Sequence, residues 1–209
     1  SSYNQAPLCG PSWVDSNAYK GSFMFVGVKG GGSIASSACC PAGTYWIKGS
    51  SVCTDCAAGK YNVVDGSTNE TACTNCVSGK YNDEEGSTAE SACTICGVGK
   101  YNAEEGKAAC TDCAAGKYNT HDGNTTEAAC TACIKGKYNV EEGSAAETAC
   151  VDCAAGKYND QEGRAACSVC ASGKYSTKDG SIAENTCLPC DTETYSPPGA
   201  TNCSYTAAS

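Results

Sequence analysis

The chain has 209 residues and a formal net charge of −9, and its 20 cysteines stand beside only two Phe, two Trp and one Met. Both Phe and the Met lie before Cys39, so the rest of the chain lacks the large apolar side chains of an ordinary hydrophobic core. The acidic balance argues against nucleic acid as a partner, because phosphate binding needs a basic face. No run of about 18 apolar residues is present for a membrane span.

Residues 1–39 form the first predicted domain and lie outside the repeats that follow. The stretch 22–28 is rich in strand formers and predicts one or two strands without a core of their own. Its apolar side chains exceed what 39 residues with one bridge can bury, so we predict head-to-tail self-assembly through Phe23, Met24, Phe25, Val26 and Val28. The alternative is that this region caps its own array.

Residues 40–203 form the second predicted domain, an array built on the motif Cys-x-x-Gly-Lys-Tyr-(Asn/Ser). Nine repeats, numbered 1 to 9 below, open at Cys40, Cys56, Cys76, Cys96, Cys113, Cys133, Cys153, Cys170 and Cys190. From Cys56 onward the steps are 20, 20, 17, 20, 20, 17 and 20 residues, which indicates duplication of a three-repeat block. The first and last repeats are degenerate, as the ends of a solenoid need to be. Residues 204–209 are the C-terminal tail.

Each repeat contains an extended Lys-Tyr-Asn segment and then an acidic residue followed by Gly, as at Asp65-Gly66. An acid-glycine pair between two short extended runs is typical of a hairpin, because Gly tolerates a positive φ. The predicted fold is therefore small, disulfide-rich and mainly β, an elongated solenoid-like array of nine short hairpin repeats. Nine layers at the spacing of packed sheets give a length of roughly 90 Å. One helical turn is compatible with the Ala-Glu-x-Ala segment of the longer repeats.

An even number of regularly spaced cysteines indicates a disulfide framework and an oxidising compartment. We therefore expect a secreted, extracellular or cell-surface protein. No signal peptide is recognisable, so we expect Ser1 to begin a processed or truncated chain.

The near-identity of the repeats constrains the pairing, because equivalent repeats should use their cysteines in the same way. Joining each opening cysteine to the next one gives Cys40–Cys53, Cys56–Cys73, Cys76–Cys93, Cys96–Cys110, Cys113–Cys130, Cys133–Cys150, Cys153–Cys167, Cys170–Cys187 and Cys190–Cys203, with Cys9–Cys39 left over. An alternating scheme would group the repeats in twos, whereas the sequence groups them in threes.

Other roles for the cysteines and acids fit the sequence less well. Two Cys-x-x-Cys pairs fit a zinc-ribbon spacing locally, but single cysteines at both ends of the array would be left over. A redox Cys-x-x-Cys is disfavoured by the number of copies. The acid-glycine turns offer too few oxygens for calcium and are better explained as solvated turns. We therefore expect no metal and no cofactor.

One tyrosine recurs in each repeat, from Tyr45 to Tyr195, and we expect these rings to stack against the bridges as an inner ladder. A carbohydrate-binding strip is the alternative. The only histidine, His121, lies in a turn position, and no Ser/His/Asp grouping is present, so no enzymatic activity is expected.

The pattern Cys-x-x-Cys-x-x-Gly-x-Tyr, with a Gly-containing turn before the next Cys-x-x-Cys, resembles the ephrin-receptor-like cysteine-rich repeat over residues 40–203. This repeat is akin to the tumour necrosis factor receptor and growth-factor-receptor modules. The Gly-Lys-Tyr motif is similar to that of tandem arrays in surface proteins of algae and other protists. The resemblance implies a disulfide-linked rod outside the cell, without catalysis.

Three N-glycosylation sequons begin at Asn69, Asn124 and Asn202, so covalent glycans are expected partners. A bridged Cys203 would hinder the third. Two functions remain open: a rigid rod that is a subunit of a glycosylated filament or surface coat, and a ligand-binding or adhesive receptor ectodomain. The chain has a single Arg and nearly interchangeable repeats, which favours the structural function because binding sites concentrate distinctive anchor residues.

Overall fold

The computed structural model describes residues 40–48, 50 and 52–205. The predicted strands of residues 1–39, the Cys9–Cys39 bridge and the self-assembly residues Phe23 to Val28 lie outside these described residues. They remain predictions.

The described chain is a tandem series of nine two-stranded sheets, one for each repeat. The strand pairs are β1 (Thr44–Trp46) with β2 (Cys53–Asp55), β3 (Lys60–Tyr61) with β4 (Thr74–Asn75), β5 (Lys80–Tyr81) with β6 (Thr94–Ile95), β7 (Lys100–Tyr101) with β8 (Thr111–Asp112), β9 (Lys117–Tyr118) with β10 (Thr131–Ala132), β11 (Lys137–Tyr138) with β12 (Val151–Asp152), β13 (Lys157–Tyr158) with β14 (Ser168–Val169), β15 (Lys174–Tyr175) with β16 (Leu188–Pro189), and β17 (Thr194–Tyr195) with β18 (Ser204–Tyr205). The predicted small, disulfide-rich, mainly β class with one hairpin per repeat is confirmed.

The strands of one sheet are antiparallel, as in β3 and β4, where Lys60 pairs with Asn75 and Tyr61 with Thr74. The connection between them contains the predicted acid-glycine turn, and Gly66 has a φ of 73°. The connection is longer than a tight hairpin turn because a second turn, the 3₁₀ helix Glu70–Ala72, precedes the closing cysteine. The acid-glycine pair therefore determines where the chain turns, and the closing cysteine determines where the second strand begins.

Five 3₁₀ helices occur in the described residues, each in a 20-residue repeat. They are Glu70–Ala72, Glu90–Ala92, Glu127–Ala129, Glu147–Ala149 and Glu184–Thr186. Their position matches the helical turn that the Ala-Glu-x-Ala segment allowed. The two 17-residue repeats, 4 and 7, have lost this segment and contain no helical turn in their described residues.

Nine disulfides join the opening cysteine of each repeat to its closing cysteine, at sequence separations of 13 to 17. These are the nine array pairs that repeat equivalence gives. No cysteine in the described part of the chain is free. Each repeat is therefore a covalently closed ring.

The interior of the array consists of cystines and short polar side chains. Every buried apolar residue that the structure describes is a cysteine, and the buried polar residues are Asn and Ser, such as Asn62 and Ser67. The repeated tyrosines are only half-buried, and Tyr195 is exposed. The expected inner ladder of tyrosines is therefore wrong: cystines and the short polar side chains of Asn and Ser occupy the inner positions.

Contacts divide the chain into two compact units. Among the described residues, the first comprises those up to residue 77 together with 81–94 and 105–109, and the second comprises 78–80, 95–104 and those from residue 110 onward. In both units, backbone hydrogen bonds join each repeat to the next one. The same type of junction thus recurs within each unit.

Candidate functional site: the junction between repeats

Three backbone hydrogen bonds form each regular junction. Between repeats 2 and 3, in the first compact unit, the Gly59 N–H donates to the Asn82 carbonyl (2.6 Å) and the Asn62 N–H to the Ser87 carbonyl (2.9 Å). In the opposite direction, the Gly86 N–H donates to the Cys56 carbonyl (2.8 Å). Because these bonds use the main chain, the junction depends little on which side chains the repeat displays to solvent.

A buried asparagine holds the same junction through its side chain. Asn82 is 2% exposed, and its amide nitrogen donates to the Lys60 carbonyl of the preceding repeat (2.9 Å) and to Ser87 Oγ (2.9 Å). Its amide oxygen accepts from the Glu84 N–H at the start of the turn (3.2 Å). One side chain therefore supplies hydrogen bonds to buried polar groups, fixes the turn and binds the neighbouring repeat.

The second compact unit repeats this arrangement. Asn139 is 2% exposed, and its amide nitrogen donates to the Lys117 carbonyl (3.0 Å) and to Ser144 Oγ (2.8 Å). The Gly116 N–H donates to the Asn139 carbonyl (2.7 Å). The asparagine is thus the central residue of the junction in both units.

Sequence reasoning placed this asparagine in an extended segment and assigned it no role. Its recurrence directly after the tyrosine could have indicated this role. A buried amide must find hydrogen-bond partners, and inside a solenoid the neighbouring repeats supply them. Trp46 occupies this position in the first repeat, and the two exceptions at the other end of the array are informative. Ser176 and Ser196 replace the asparagine in the last two repeats, and only Ser196 retains a side-chain bond to the preceding repeat, to the Lys174 carbonyl (2.8 Å).

The glycine of Gly-Lys-Tyr also packs against the repeat after the next one. Gly59 has a φ of 86°, and a Cβ built there would overlap the Gly106 carbonyl oxygen in repeat 4. In the second compact unit, Gly116 stands in the same relation to Gly163. The Gly of Gly-Lys-Tyr is therefore needed both for its backbone conformation and for close packing.

The acid-glycine turns also take part in the junction. Asp65 Oδ1 accepts from the Ala42 N–H of the preceding repeat (2.7 Å), and in the second unit Asp179 Oδ1 accepts from the Ala155 N–H (2.7 Å). These carboxylates bind backbone, so the turns are more than the solvated loops that the sequence suggested. In the described residues, no group of three or more His, Cys, Asp or Glu side chains is arranged to hold a metal ion.

The lysine of Gly-Lys-Tyr forms surface ion pairs within its own repeat. Lys60 binds Glu70 (3.0 Å) and Lys117 binds Glu127 (2.8 Å), in both cases the first residue of a 3₁₀ helix. The hydrogen bond and charge of Lys117 lower the pKa of the Glu127 carboxyl from its usual value. Pairs this exposed are screened by solvent, so they orient surface side chains more than they stabilise the fold.

The remaining predicted residues lie on the surface. His121 is exposed in its turn, with Nδ1 3.0 Å from Thr120 Oγ1. Asn69 and Asn202 are exposed, while Asn124 is half-buried. The structure thus distinguishes the Asn124 sequon from the other two, which the sequence alone could not do.

We predict that Asn69 carries the N-glycan and that Asn124 is largely unmodified. The Asn69 side chain uses only its oxygen, which accepts from the Thr71 N–H (2.9 Å), and no bond of its amide nitrogen occurs among the described residues. The Asn124 amide nitrogen donates to the His121 carbonyl (2.7 Å), and its main-chain carbonyl accepts from the Asn102 N–H of the preceding repeat (2.9 Å). A glycan at Asn124 would replace one hydrogen of this amide nitrogen and crowd the turn.

Glycopeptide mass spectrometry of the protein from a glycosylating eukaryotic host measures the occupancy of each sequon. We expect Asn69→Gln to remove most of the glycan mass and Asn124→Gln to leave it unchanged. Equal occupancy at the two positions would contradict the prediction.

The described part of the chain contains no helix with the length and apolarity that crossing a membrane requires. Comparison with known families matches the family described as tyrosine-protein kinase ephrin type A/B receptor-like, at residues 43–93, 88–130 and 144–187. The three matches together cover more than half of the chain. No curated protein is significantly similar to it.

Proposed function

Because the chain belongs to the ephrin-receptor-like family of cysteine-rich repeats, we propose that it is an extracellular structural protein, a rigid disulfide-stapled rod that serves as a subunit of a glycosylated filament or cell-surface coat. Nine disulfides and this family membership fit an extracellular or surface location. The rod has no catalytic activity in this proposal.

The observation that carries the proposal is the repeated junction. Stiffness in a solenoid comes from the bonds between neighbours, and each regular junction here has backbone bonds and, in most repeats, a buried asparagine bridge. Each ring is also closed covalently, so a repeat cannot extend under load without breaking a disulfide. These properties suit a load-bearing or space-filling element.

In the proposed assembly the rod polymerises head to tail through its N-terminal region. Residues Phe23, Met24, Phe25, Val26 and Val28 supply an apolar run, and contacts between unlike ends grow open filaments. Glycans on exposed turns keep neighbouring rods apart.

Removal of residues 1–38 is expected to convert fibre-forming material into soluble monomers. Electron microscopy of the native material, with sedimentation of the full and shortened chains side by side, measures this. Small-angle scattering of the shortened chain should give an extended molecule. Fibres of unchanged appearance from the shortened chain would place the interface elsewhere, and a compact scattering profile would contradict the rod.

A ligand-binding or adhesive ectodomain of a surface receptor is the second candidate. The description of the matching family, which names receptors, favours it. Imaging discriminates the two functions, because an ectodomain is a dispersed molecule in its native setting and a filament subunit is not.

A further inference from the structure

The two short repeats, 4 and 7, hold their disulfides differently from the long repeats around them. In repeats 2, 3, 5, 6 and 8 the closing cysteine follows a 3₁₀ helix and is buried, at 5% to 7% exposed; these residues are Cys73, Cys93, Cys130, Cys150 and Cys187. In the short repeats the closing cysteines, Cys110 and Cys167, follow bends and are partly exposed. The end repeats 1 and 9 adjoin residues outside the described part of the chain and do not bear on this difference.

The helix also ties the closing cysteine to its own repeat. In repeat 6 the Cys150 N–H donates to the Glu147 carbonyl (2.9 Å), and an equivalent bond is present in each of the other four helices. Repeat 7 has no helix, and no such bond reaches Cys167 among the described residues. Ala166, directly before Cys167, is exposed, whereas Ala149 in repeat 6 is half-buried. The segment that carries Cys167 is therefore both less covered and less restrained.

The charge near the closing cysteine is also reversed. Three residues before that cysteine, repeats 2, 3, 5, 6 and 8 have the glutamate that begins the helix: Glu70, Glu90, Glu127, Glu147 and Glu184. At the same distance in sequence, repeat 4 has Lys107 and repeat 7 has Arg164, and both are exposed. A positive charge attracts an approaching thiolate and stabilises the thiolates that form, whereas a glutamate disfavours both. Loss of the helix and reversal of the charge occur together in both short repeats.

The two cysteines of each short ring differ in access. Cys153 is 0% exposed, while its partner Cys167 is partly exposed, and Cys96 and Cys110 differ in the same way. Thiol–disulfide exchange begins when a thiolate reaches one of the two sulfurs, so its rate depends on the access to that sulfur. Attack from solvent is therefore directed to the closing cysteine.

We propose that the disulfides of repeats 4 and 7, Cys96–Cys110 and Cys153–Cys167, are thiol-exchange sites that small anionic thiols open while the rings of the neighbouring long repeats stay closed. In repeat 7 a thiolate attacks Cys167, the S–S bond breaks, and Cys153 leaves as a thiolate that takes a proton from water. A second thiolate attacks the sulfur of the bound small thiol and displaces Cys167 as a thiolate, which is protonated in turn. Two small thiols are thereby oxidised to their dimer, and one cystine is reduced to two cysteines.

Opening this ring leaves the junction with the next repeat in place. The Gly156 N–H donates to the Ser176 carbonyl (2.8 Å), and the Asn159 N–H donates to the Ser181 carbonyl (2.9 Å). Neither bond uses a cysteine, so reduction removes a covalent constraint from repeat 7 without removing these hydrogen bonds to repeat 8. The proposal applies to the array whether it serves in a filament or in a receptor, so its failure and the failure of the proposed function are distinguishable.

Differential cysteine labelling of the oxidised full chain measures the exchange. The protein is treated with limiting glutathione, a light maleimide blocks the new thiols at each time point, and a heavy maleimide labels the remaining cysteines after full reduction. Exchanging a like charge for an opposite one at about 8 Å in water changes a rate by about fivefold. We therefore expect the pairs of repeats 4 and 7 to open about fivefold faster, or more, than those of repeats 2, 3, 5, 6 and 8. Equal or slower opening would overturn the proposal.

The position of the mixed disulfide tests the direction of attack. Early samples quenched in acid should carry glutathione on Cys167 and Cys110, which peptide fragmentation locates. Glutathione on Cys153 and Cys96 instead would mean that the buried sulfur is the one attacked, and the assignment from access would be wrong.

Two reciprocal variants separate charge from cover. Arg164→Glu gives repeat 7 the charge of a long repeat, and we expect its disulfide to open about fivefold more slowly while repeat 4 of the same molecule is unchanged. The matched control, Glu147→Arg, gives repeat 6 the charge of repeat 7 but keeps its helix, so Cys133–Cys150 should still open more slowly than Cys153–Cys167. Circular dichroism checks that both variants are folded. An unchanged rate in R164E, or a repeat 6 that opens as fast as repeat 7 in E147R, would overturn the assignment.

Discussion

Complete reduction of the disulfides is expected to unfold the array at room temperature, whereas heating with the disulfides intact leaves most of its structure. Every buried apolar residue in the described chain is a half-cystine, so reduction removes the core and the chain constraint together. In the chain-entropy model, one closed loop of about 15 residues contributes about 3 kcal/mol. Nine such loops are large beside the few kcal/mol by which ordinary domains are stable.

Far-UV circular dichroism and amide hydrogen exchange, recorded with and without reductant, measure this effect. The control is the oxidised protein carried through the same buffer and temperature steps. Slow amide exchange at junction groups such as the Asn62 and Asn139 N–H is the signature of the folded array. A reduced, alkylated chain that keeps this slow exchange would show that hydrogen bonding alone holds the fold.

Replacement of Gly116 by Ala is expected to be strongly destabilising, as at the equivalent glycines of the other repeats. Gly116 has a φ of 85°, which alone costs an L-residue about 1–2 kcal/mol. A Cβ there also overlaps the Gly163 carbonyl oxygen of the second repeat along, and overpacking costs about 1–3 kcal/mol more. We therefore expect the free energy of unfolding to fall by about 2–5 kcal/mol.

Two other glycines separate these costs. Gly66 has a φ of 73° with nothing near its Cβ position, so Gly66→Ala should show the conformational cost alone. Gly97 has neither a positive φ nor a close neighbour, so Gly97→Ala should be neutral or slightly stabilising. Guanidinium unfolding of the oxidised variants ranks the three. Equal losses for Gly116→Ala and Gly66→Ala would mean that the neighbouring repeat moves aside at no cost.

The hairpins, their glycines and the array pairing could be predicted because each repeat carries that information locally. Asp65-Gly66 dictates a bend in any context, and equivalent repeats leave few consistent ways to join Cys76 and Cys96 to partners. The role of Asn82 could not be predicted in the same way. Its partner is the Lys60 carbonyl of another repeat. The periodicity of the sequence shows that the repeats are alike, but it does not show which groups come into contact when the repeats stack.

The tyrosines were misplaced for a related reason. Large aromatic residues are usually the ones that a protein buries, but in the described residues the buried side chains are those of Cys, Asn and Ser. The sequons show the opposite case. Asn69 and Asn124 are equivalent as motifs, and only their positions relative to the turn and the preceding repeat distinguish them.

Disulfide partners are closer in sequence than residues that pack between repeats, and this difference determines the order in which the contacts form during synthesis. Bridged cysteines are 13 to 17 residues apart, so a ring can close as soon as one repeat has left the ribosome and met an oxidant. Gly59 meets Gly106 only after two further repeats have been made. Each thiol therefore finds its partner as the next cysteine to arrive, before the chain can stack, and stacking then locks rings whose pairing is already correct.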